Sequence, residues 1–447
     1  MKKYCLLLLG ICCFVPIHAQ SIIDRYIREG LENNESIKQQ TFLLKKNLYA
    51  LKEANSLFFP TLTVSGSYNK ADGGRTVDFP AGDILNPIYR SLNELTKSES
   101  FSSIENMSIQ LNPDNYYDAK IRLDMPVFNA ELLYNRKIKR ATADLQETEI
   151  LLYKRELVKD IKKAYYQYCQ SSKTVEIREN AIKVATENFR INQSLFKNGK
   201  TNNTTVLRSE NEVTKADAAL FSALQAQKNS QSYFNFLLNK PFDAEIAIEE
   251  PEIVLSSDST NLSVENREEM QKLQLFSDIK QLNKGLAKSF ILPKVNTFLD
   301  LGSQGFDWQV SDKTRYYMLG VSLQWKFSLG GQNIHKINAA EADISAAQSE
   351  TNHIKEQLEL QLQQAINNHK DALNNYSSVK SQMSVAAKYF RDMEKLYKEG
   401  QALYIELLDA QTQYINTMVS LNIARYNTCI KQAEVERANA SFNLNNY

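Results

Sequence analysis

Residues 161–200 read IKKAYYQYCQSSKTVEIRENAIKVATENFRINQSLFKNGK, and an apolar or aromatic side chain recurs in them at every seventh position. The six positions are Ile161, Tyr168, Val175, Ile182, Phe189 and Phe196. A sustained seven-residue period with polar residues between is typical of a helix in a coiled coil. Gly199, the second-last residue of the stretch, is of a type that favours turns. It therefore predicts a long helix that stops at a hairpin tip.

The same pattern occurs a second time, 201 residues further along the chain. Leu195-Phe-Lys-Asn-Gly199 has its counterpart in Leu396-Tyr-Lys-Glu-Gly400, where Gly400 marks a second tip. We interpret His369, which falls in the second stripe, as a residue of the helix seam, because no second histidine lies at metal-binding spacing. The chain is therefore an internal duplication. The second stripe consists of Leu362, His369, Tyr376, Met383, Phe390 and Tyr397.

Each copy also contains two stretches in which the period changes from seven to two. Apolar and polar side chains alternate in residues 61–68, 120–127, 295–301 and 317–327. Two-faced strands with aromatic residues near their ends are typical of transmembrane β-strands, although a soluble antiparallel sheet shares the alternation. We favour the membrane because the rest of the chain offers nothing to cover these apolar faces. The residues expected to face lipid are Leu319, Val321, Leu323 and Trp325.

Four strands cannot close a barrel alone, and hydrocarbon does not tolerate the unpaired backbone groups of an open sheet edge. Three chains would supply about twelve strands, which lies within the range of known barrels. The expected fold class is therefore an internally duplicated α+β membrane protein. Four strands per chain would enter a barrel that several chains share, and the long coiled-coil helices would continue from it.

These patterns divide the chain into nine segments. Residues 1–19 have the charged start, apolar core and small-residue end of a signal peptide. Cys12 and Cys13 follow bulky residues, so we do not expect an acylated cysteine. The other segments are an N-terminal helix (20–57), two strands with a long loop (58–128), a helical hairpin (129–238), an insertion (239–266), a helix (267–290), two strands (291–328), a second helical hairpin (329–440) and a tail (441–447).

The return helix of each hairpin is expected to be much shorter than the outgoing one. In the first copy, residues 131–196 form the outgoing helix and residues 201–238 the return. A further short helix must then complete each return path. Judged by length, residues 267–290 complete the first hairpin and residues 33–57 the second.

The composition excludes several classes of function. Lys and Arg number 53 against 52 Asp and Glu, so the net charge of +1 gives no basis for a nucleic-acid partner. The chain contains no zinc-protease, dinucleotide-binding or nucleophile-elbow motif. We predict no catalytic residue, no metal site and no cofactor.

Over essentially the whole mature sequence the chain resembles the outer-membrane efflux protein family, the TolC-like ducts. The resemblance implies a homotrimer in outer-membrane lipid, with a trimeric 12-stranded barrel continued by a long α-helical coiled-coil tunnel through the periplasm. It also implies that residues 71–115 are an extracellular loop. It also implies a periplasmic adaptor and an inner-membrane pump or ABC exporter, for efflux or type I secretion. The matching motifs are Gly30-Leu-Glu-Asn-Asn34, Phe59-Pro-Thr-Leu-Thr-Val-Ser-Gly66, Asn266-Arg-Glu-Glu-Met270, Leu329-Gly-Gly331 and Tyr397-Lys-Glu-Gly-Gln-Ala-Leu-Tyr-Ile-Glu-Leu-Leu-Asp-Ala-Gln411.

The resemblance also implies roles for residues near the tips. Family members close their periplasmic end with acidic side chains six and nine residues after the second tip glycine, here Glu406 and Asp409. The alternative is that both acids only favour the positive end of a helix dipole. A hydroxyl hydrogen bond that links the tips maps onto Tyr397 and Thr204.

The salt bridge that accompanies this bond in the family maps onto Thr205 and Ala402, which cannot form one. A competing interpretation is a periplasmic coiled-coil adaptor or structural protein of an export complex, with its strands in a soluble domain. That class does not account for the aromatic strand ends or for the joint duplication of helix and strand. We therefore expect an outer-membrane channel rather than an enzyme.

Overall fold

The computed structural model describes residues 21–251, 253 and 263–444. The expected signal peptide lies outside the described residues. The chain divides into two compact units, and the boundaries between them fall inside helices. Unit 1 comprises residues 1–47, 141–278 and 344–447, and unit 2 comprises residues 48–140 and 279–343.

The helices and strands follow the duplicated order expected from the sequence. No described helix carries the apolar run that a membrane span requires. The helices are α1 (Ile22–Asn33), α2 (Glu35–Ser56), α3 (Ala81–Thr96), α4 (Ala130–Lys197), α5 (Asn203–Leu237), α6 (Glu268–Ser289), α7 (Gln332–Lys398) and α8 (Tyr404–Ala438). The strands are β1 (Thr61–Asn69), β2 (Thr76–Phe79), β3 (Met107–Gln110), β4 (Tyr116–Phe128), β5 (Lys294–Phe306) and β6 (Arg315–Gln324).

In unit 1 the seven-residue period is the packing seam of the long helices. On α7 a second stripe of small or apolar residues is buried beside the expected one, with the seven-residue spacing that knobs-into-holes packing requires. His369 is buried in this seam, and burial lowers its pKa below the ordinary value, so the neutral form is favoured. The second stripe consists of Leu358, Ala365, Ala372, Val379 and Ala386.

A fully buried cluster holds α1 against the first hairpin. Ile27 of α1 packs with Ile161 of α4 and Phe234 of α5, and none of the three is exposed. Gly30 allows this close approach, because a Cβ atom there would lie 2.4 Å from the Cδ1 atom of Ile161. The N-terminal helix therefore belongs to the larger of the two buried clusters of unit 1, and the smaller one includes Val264, Leu358 and Ala438.

The structure corrects the expected completion of the two return helices. The end of α5 meets the start of α2, where the Asn34 side-chain amide donates to the Leu237 carbonyl at 3.4 Å. The end of α8 meets the start of α6, where Arg437 donates to Glu269 at 2.8 Å. The length-based assignment was wrong because α2 and α6 both have 22 residues, so length could not distinguish them.

Buried and half-buried ion pairs join α4, α6 and α8 at this second junction. Burial alone would raise the pKa of Glu269, but hydrogen bonds from Arg267 and Arg437 lower it to about 2. Removing one partner of a buried pair is costly, because a desolvated charge is left uncompensated. The pairs are Arg437–Glu269 at 2.8 Å, Arg437–Glu156 at 2.8 Å, Arg267–Glu269 at 2.6 Å and Arg155–Glu268 at 2.5 Å.

In unit 2 four strands form an antiparallel sheet in the order β1-β4-β5-β6. The long loop between β1 and β4 is more ordered than its Gly, Pro and Ser content indicated, because it contains α3 and the two-stranded β2–β3 ribbon. Two asparagines fix α3 to the chain that follows it. Asn86 exchanges two hydrogen bonds with the backbone of Ile104, both 2.9 Å, and Asn93 exchanges two with Phe101.

The Glu269 cluster predicts a loss of stability in acid. Above its ordinary pKa of 4.5 the carboxylate is ionised in the folded and unfolded chains, and the stabilisation is complete. As the pH falls from 4.5 towards 2, the unfolded chain gains the proton first, so the stabilisation is lost. We expect Glu269→Gln to lower the free energy of unfolding at neutral pH by about 3 kcal/mol and to flatten this acid dependence.

Denaturant unfolding in detergent, followed by circular dichroism across this pH range, measures both effects. The exposed Glu356 of α7 supplies the matched control, Glu356→Gln, which should change neither the stability nor its pH dependence. A Glu269→Gln protein as stable as the control variant would contradict a stabilising role for the cluster.

Candidate functional site

One face of the four-stranded sheet is apolar across all four strands. The register aligns Leu62 with Leu123, Leu123 with Leu299, and Leu299 with Leu319, so one row of leucines crosses the sheet. Leu319, Val321, Leu323 and Trp325, the residues expected to face lipid, are 72%, 71%, 64% and 52% exposed. An apolar surface this continuous marks a site that another apolar phase covers.

Trp325 lies just beyond the end of β6, where the chain turns towards α7. Its ring nitrogen donates to the Ile291 carbonyl at 2.9 Å, and its ring lies 4.7 Å from that of Phe327. An aromatic side chain with one apolar and one hydrogen-bonded end suits the boundary between hydrocarbon and water.

The opposite face of the sheet is charged. Arg122 of β4 makes two hydrogen bonds to Asp300 of β5, at 2.7 and 2.6 Å, and its guanidinium lies 4.7 Å from the Phe298 ring centre. Lys120 pairs with Asp118 at 3.2 Å, and the Tyr316 hydroxyl donates to the same carboxylate. One sheet therefore separates an apolar surface from an ionic one.

β1 and β6 are the outer strands of this sheet, and each has a partner on one side only. In the part of the chain that the structure describes, each therefore presents a row of backbone N–H and C=O groups without strand partners. Such edges invite pairing with another copy of the same sheet.

The two hairpin tips have the same backbone geometry. Gly199 has a φ of 69° and Gly400 one of 73°, a left-handed conformation that glycine adopts without strain. The residue after each glycine donates back to the carbonyl five residues earlier, Lys200 to Leu195 at 2.9 Å and Gln401 to Leu396 at 2.8 Å. This is the Schellman ending of a helix, and it occurs at both tips.

The helices that leave the two tips are capped differently. Asn202 caps α5, because its side chain accepts from the Thr205 N–H at 3.0 Å. α8 begins after Leu403, which has no polar side chain, and Glu406 accepts from the Leu403 N–H at 2.8 Å. Glu406 therefore has a capping role within its own chain, whereas Asp409 is exposed and free of such a role. Of the two acids expected to close the periplasmic end, only Asp409 has no capping role that would account for its presence.

The structure brings Tyr397 to Asn192 rather than to Thr204. The Tyr397 hydroxyl donates to the Asn192 side-chain oxygen at 2.5 Å, and this bond links α7 to α4. Burial raises the pKa of Tyr397, so the hydroxyl keeps its proton. Asn192 is fully buried, and its amide nitrogen has no partner within the described part of the chain. Thr204 is exposed.

Asn192 was missed in the sequence although a signal for it existed. It lies three residues after the stripe position Phe189, in a seam where the second copy has Met393. A polar residue at a buried seam position usually has a specific partner. The seam period alone does not identify that partner, because it lies on another long helix.

Comparison with known proteins agrees with this architecture. The family model of outer membrane efflux proteins matches residues 26–240 and 260–440. No curated protein sequence matches the chain.

Solved structures match over nearly the full length. The outer membrane protein VceC of Vibrio cholerae is 15% identical with a TM-score of 0.74, and the alignment covers 93% of this chain and 95% of that one. The outer membrane channel CmeC of Campylobacter jejuni is 13% identical with a TM-score of 0.74, covering 94% and 85%. The open state of the MtrE outer membrane channel of Neisseria gonorrhoeae is 13% identical with a TM-score of 0.71, covering 93% and 88%. These similarities confirm the expected fold class.

The two-faced sheet predicts unequal effects of charge on neighbouring positions. Val321→Arg and Leu323→Arg should each reduce stability in a bilayer by about 2–4 kcal/mol, because the charge would enter hydrocarbon. Ser322→Arg, on the ionic face, should be tolerated. All three positions are exposed in the single chain, so lost packing would not produce this difference.

Unfolding from lipid vesicles, followed by tryptophan fluorescence, measures the three variants. Equal losses at all three positions would contradict the assignment of the lipid-facing side.

Proposed function

The chain belongs to the outer membrane efflux protein family, and from that membership we propose that it is the homotrimeric outer-membrane component of a tripartite export system. Its role as an outer-membrane efflux channel follows from the family. In the proposed system, a periplasmic adaptor and an inner-membrane pump or ABC exporter deliver the substrate. The channel then conducts it passively, because the described residues supply a wall rather than a reaction centre.

The observation that carries the trimer is the pair of open sheet edges beside an apolar face. Within the chain, β4 of the first repeat pairs with β5 of the second over twelve residue pairs. Because the chain is duplicated, β6 of one chain and β1 of the neighbouring chain can pair in the equivalent way. Three copies would then close the sheet with about twelve strands and leave no edge in hydrocarbon.

The trimer is tested by the mass of the protein in solution. We expect the mature chain, purified in a non-ionic detergent, to be a trimer by light scattering coupled to size-exclusion chromatography. The reason is that a single sheet cannot pair its outer strands. A folded monomer that inserts stably into lipid would contradict both the trimer and the barrel.

The tip residues support the proposed aperture at the periplasmic end. Asp409 lies one helical turn after Glu406, so the two carboxylates share a face of α8. Three copies would place six carboxylates around one opening. Like charges held close together attract counter-cations. The Glu406 carboxylate already accepts a hydrogen bond from the Leu403 N–H. We therefore expect Asp409 to contribute more than Glu406 to the binding of cations at the aperture.

The proposed aperture predicts a cation-selective and poorly conducting channel. Divalent or trivalent cations added on the periplasmic side of a planar bilayer should block it, because carboxylate rings bind multivalent cations. Glu406→Gln with Asp409→Asn should abolish the block and reduce selectivity. Trimer stability should change little, since glutamine can still accept the capping hydrogen bond from Leu403. Asp409→Asn alone should weaken the block more than Glu406→Gln alone.

The first hairpin supplies the matched control. Thr205→Val with Arg208→Ala changes the positions that correspond to Glu406 and Asp409 in the other repeat, and it should alter the block much less. If the Glu406→Gln, Asp409→Asn variant were blocked by cations as strongly as the wild type, the aperture would have to lie elsewhere. A normal conductance of the same variant would still support the proposed channel.

A further inference from the structure

A cavity of about 550 Å³ lies in unit 2, at the end of the sheet that leads into the long helices. It is framed by the start of β5, the end of β6, and the first turns of α4 and α7. Its volume is in the range of small-molecule sites. The lining residues that matter here are Lys294, Lys326, Lys336, Glu131, Phe290 and Phe327.

The cavity belongs to the ionic side of the sheet. Lys294 and Gln324 line it and pair with each other in the strand register. The next pair along, Val295 and Leu323, belongs to the apolar face, because successive side chains of a strand point to opposite sides. A membrane lipid would meet the apolar face. The Lys294 and Gln324 side chains of the lining therefore point to the aqueous side of the sheet.

The lining is cationic. Three lysines face one carboxylate, which gives a formal charge of +2. Glu131 already pairs with Lys294 at 2.8 Å. Lys326 makes no ion pair in the part of the chain that the structure describes, and it is exposed. α7 begins beside it without an acidic residue in its first turn, so the helix dipole adds to the positive potential.

Aromatic rings lie beside these charges. The Lys336 ammonium is 4.5 Å from the ring centre of Phe290, and Phe327 is 70% exposed. Lys336 is held by a ring rather than by an acid, so its charge is not neutralised. The lining of the cavity therefore contains two ammonium groups without a carboxylate partner among the described residues, together with the apolar surface of two aromatic rings.

From this combination we propose that the cavity is a cargo-binding site for organic anions with an aromatic or other flat apolar body. The anionic group would bind Lys326 and Lys336, and the apolar body would pack on Phe290 and Phe327. The inference rests on the proposed function, because only a conducting channel brings cargo to the ionic face. It adds a substrate class, which the channel fold alone does not determine.

The test uses pyranine, a trisulfonated pyrene dye, and the intact protein in a non-ionic detergent. Fluorescence anisotropy at physiological ionic strength should give saturable binding to the wild type. Lys326→Gln with Lys336→Gln should raise the dissociation constant about tenfold. Lys45→Gln with Lys46→Gln removes the same charge from exposed positions of α2 and should leave the affinity unchanged.

Competition defines the ligand class. Naphthalene-2-sulfonate should displace the dye, whereas the aromatic dication methyl viologen should not. Equal affinity in the two double variants, or displacement by the dication, would overturn the site. Displacement by inorganic phosphate as effective as that by naphthalene-2-sulfonate would overturn its aromatic part. Conductance of the wild type in planar bilayers tests the proposed function separately, because a wild type without conductance would refute that function whatever the dye measurements give.

Discussion

The unpaired backbone groups of β1 and β6 are the constraint on which the rest of this molecule depends. Burying one peptide group without a hydrogen bond costs on the order of several kcal/mol in hydrocarbon, so an open edge cannot remain in a membrane. The same strands expose a continuous apolar face, which is equally unstable in water. Both problems have one solution, which is a closed ring of several copies. The ionic face, with Arg122 paired to Asp300, is then the only side that meets water.

The sequence predicted the elements much better than their partners. Periods of seven and two located the long helices and the sheet strands to within a few residues, because those periods reflect which side of an element is buried. The ends of α5 and α8 were joined to the wrong short helices, since α2 and α6 are equally long. What distinguishes them is a few polar contacts, Asn34 with Leu237 and Arg437 with Glu269. Contacts between residues this distant in sequence leave no periodic trace.

The sequence likewise predicted single residues of the candidate site better than the contacts between them. Tip glycines are recognisable because a left-handed residue is required there, and the structure places Gly199 and Gly400 in that conformation. The hydrogen-bond partner of Tyr397 could not be identified from the sequence, because Asn192 lies on another helix. The two tips also show that equal backbones need not carry equal chemistry. Asn202 caps one helix, while Glu406 caps the other with a carboxylate that would also contribute to the aperture.

The corrected helix junctions have an evolutionary consequence. α2 completes α5 and α6 completes α8, so in both cases the helix that directly precedes the large-sheet strands of a repeat meets the last helix of that same repeat. Each repeat thus brings its own two ends together within unit 1. A gene that encoded a single repeat would yield a protomer of about half the length, with two strands of the large sheet and one hairpin. Six such protomers would build the ring for which three of the present chains suffice. Fusion of two copies would then have allowed the second tip to acquire Glu406 and Asp409 while the first kept Thr205 and Arg208.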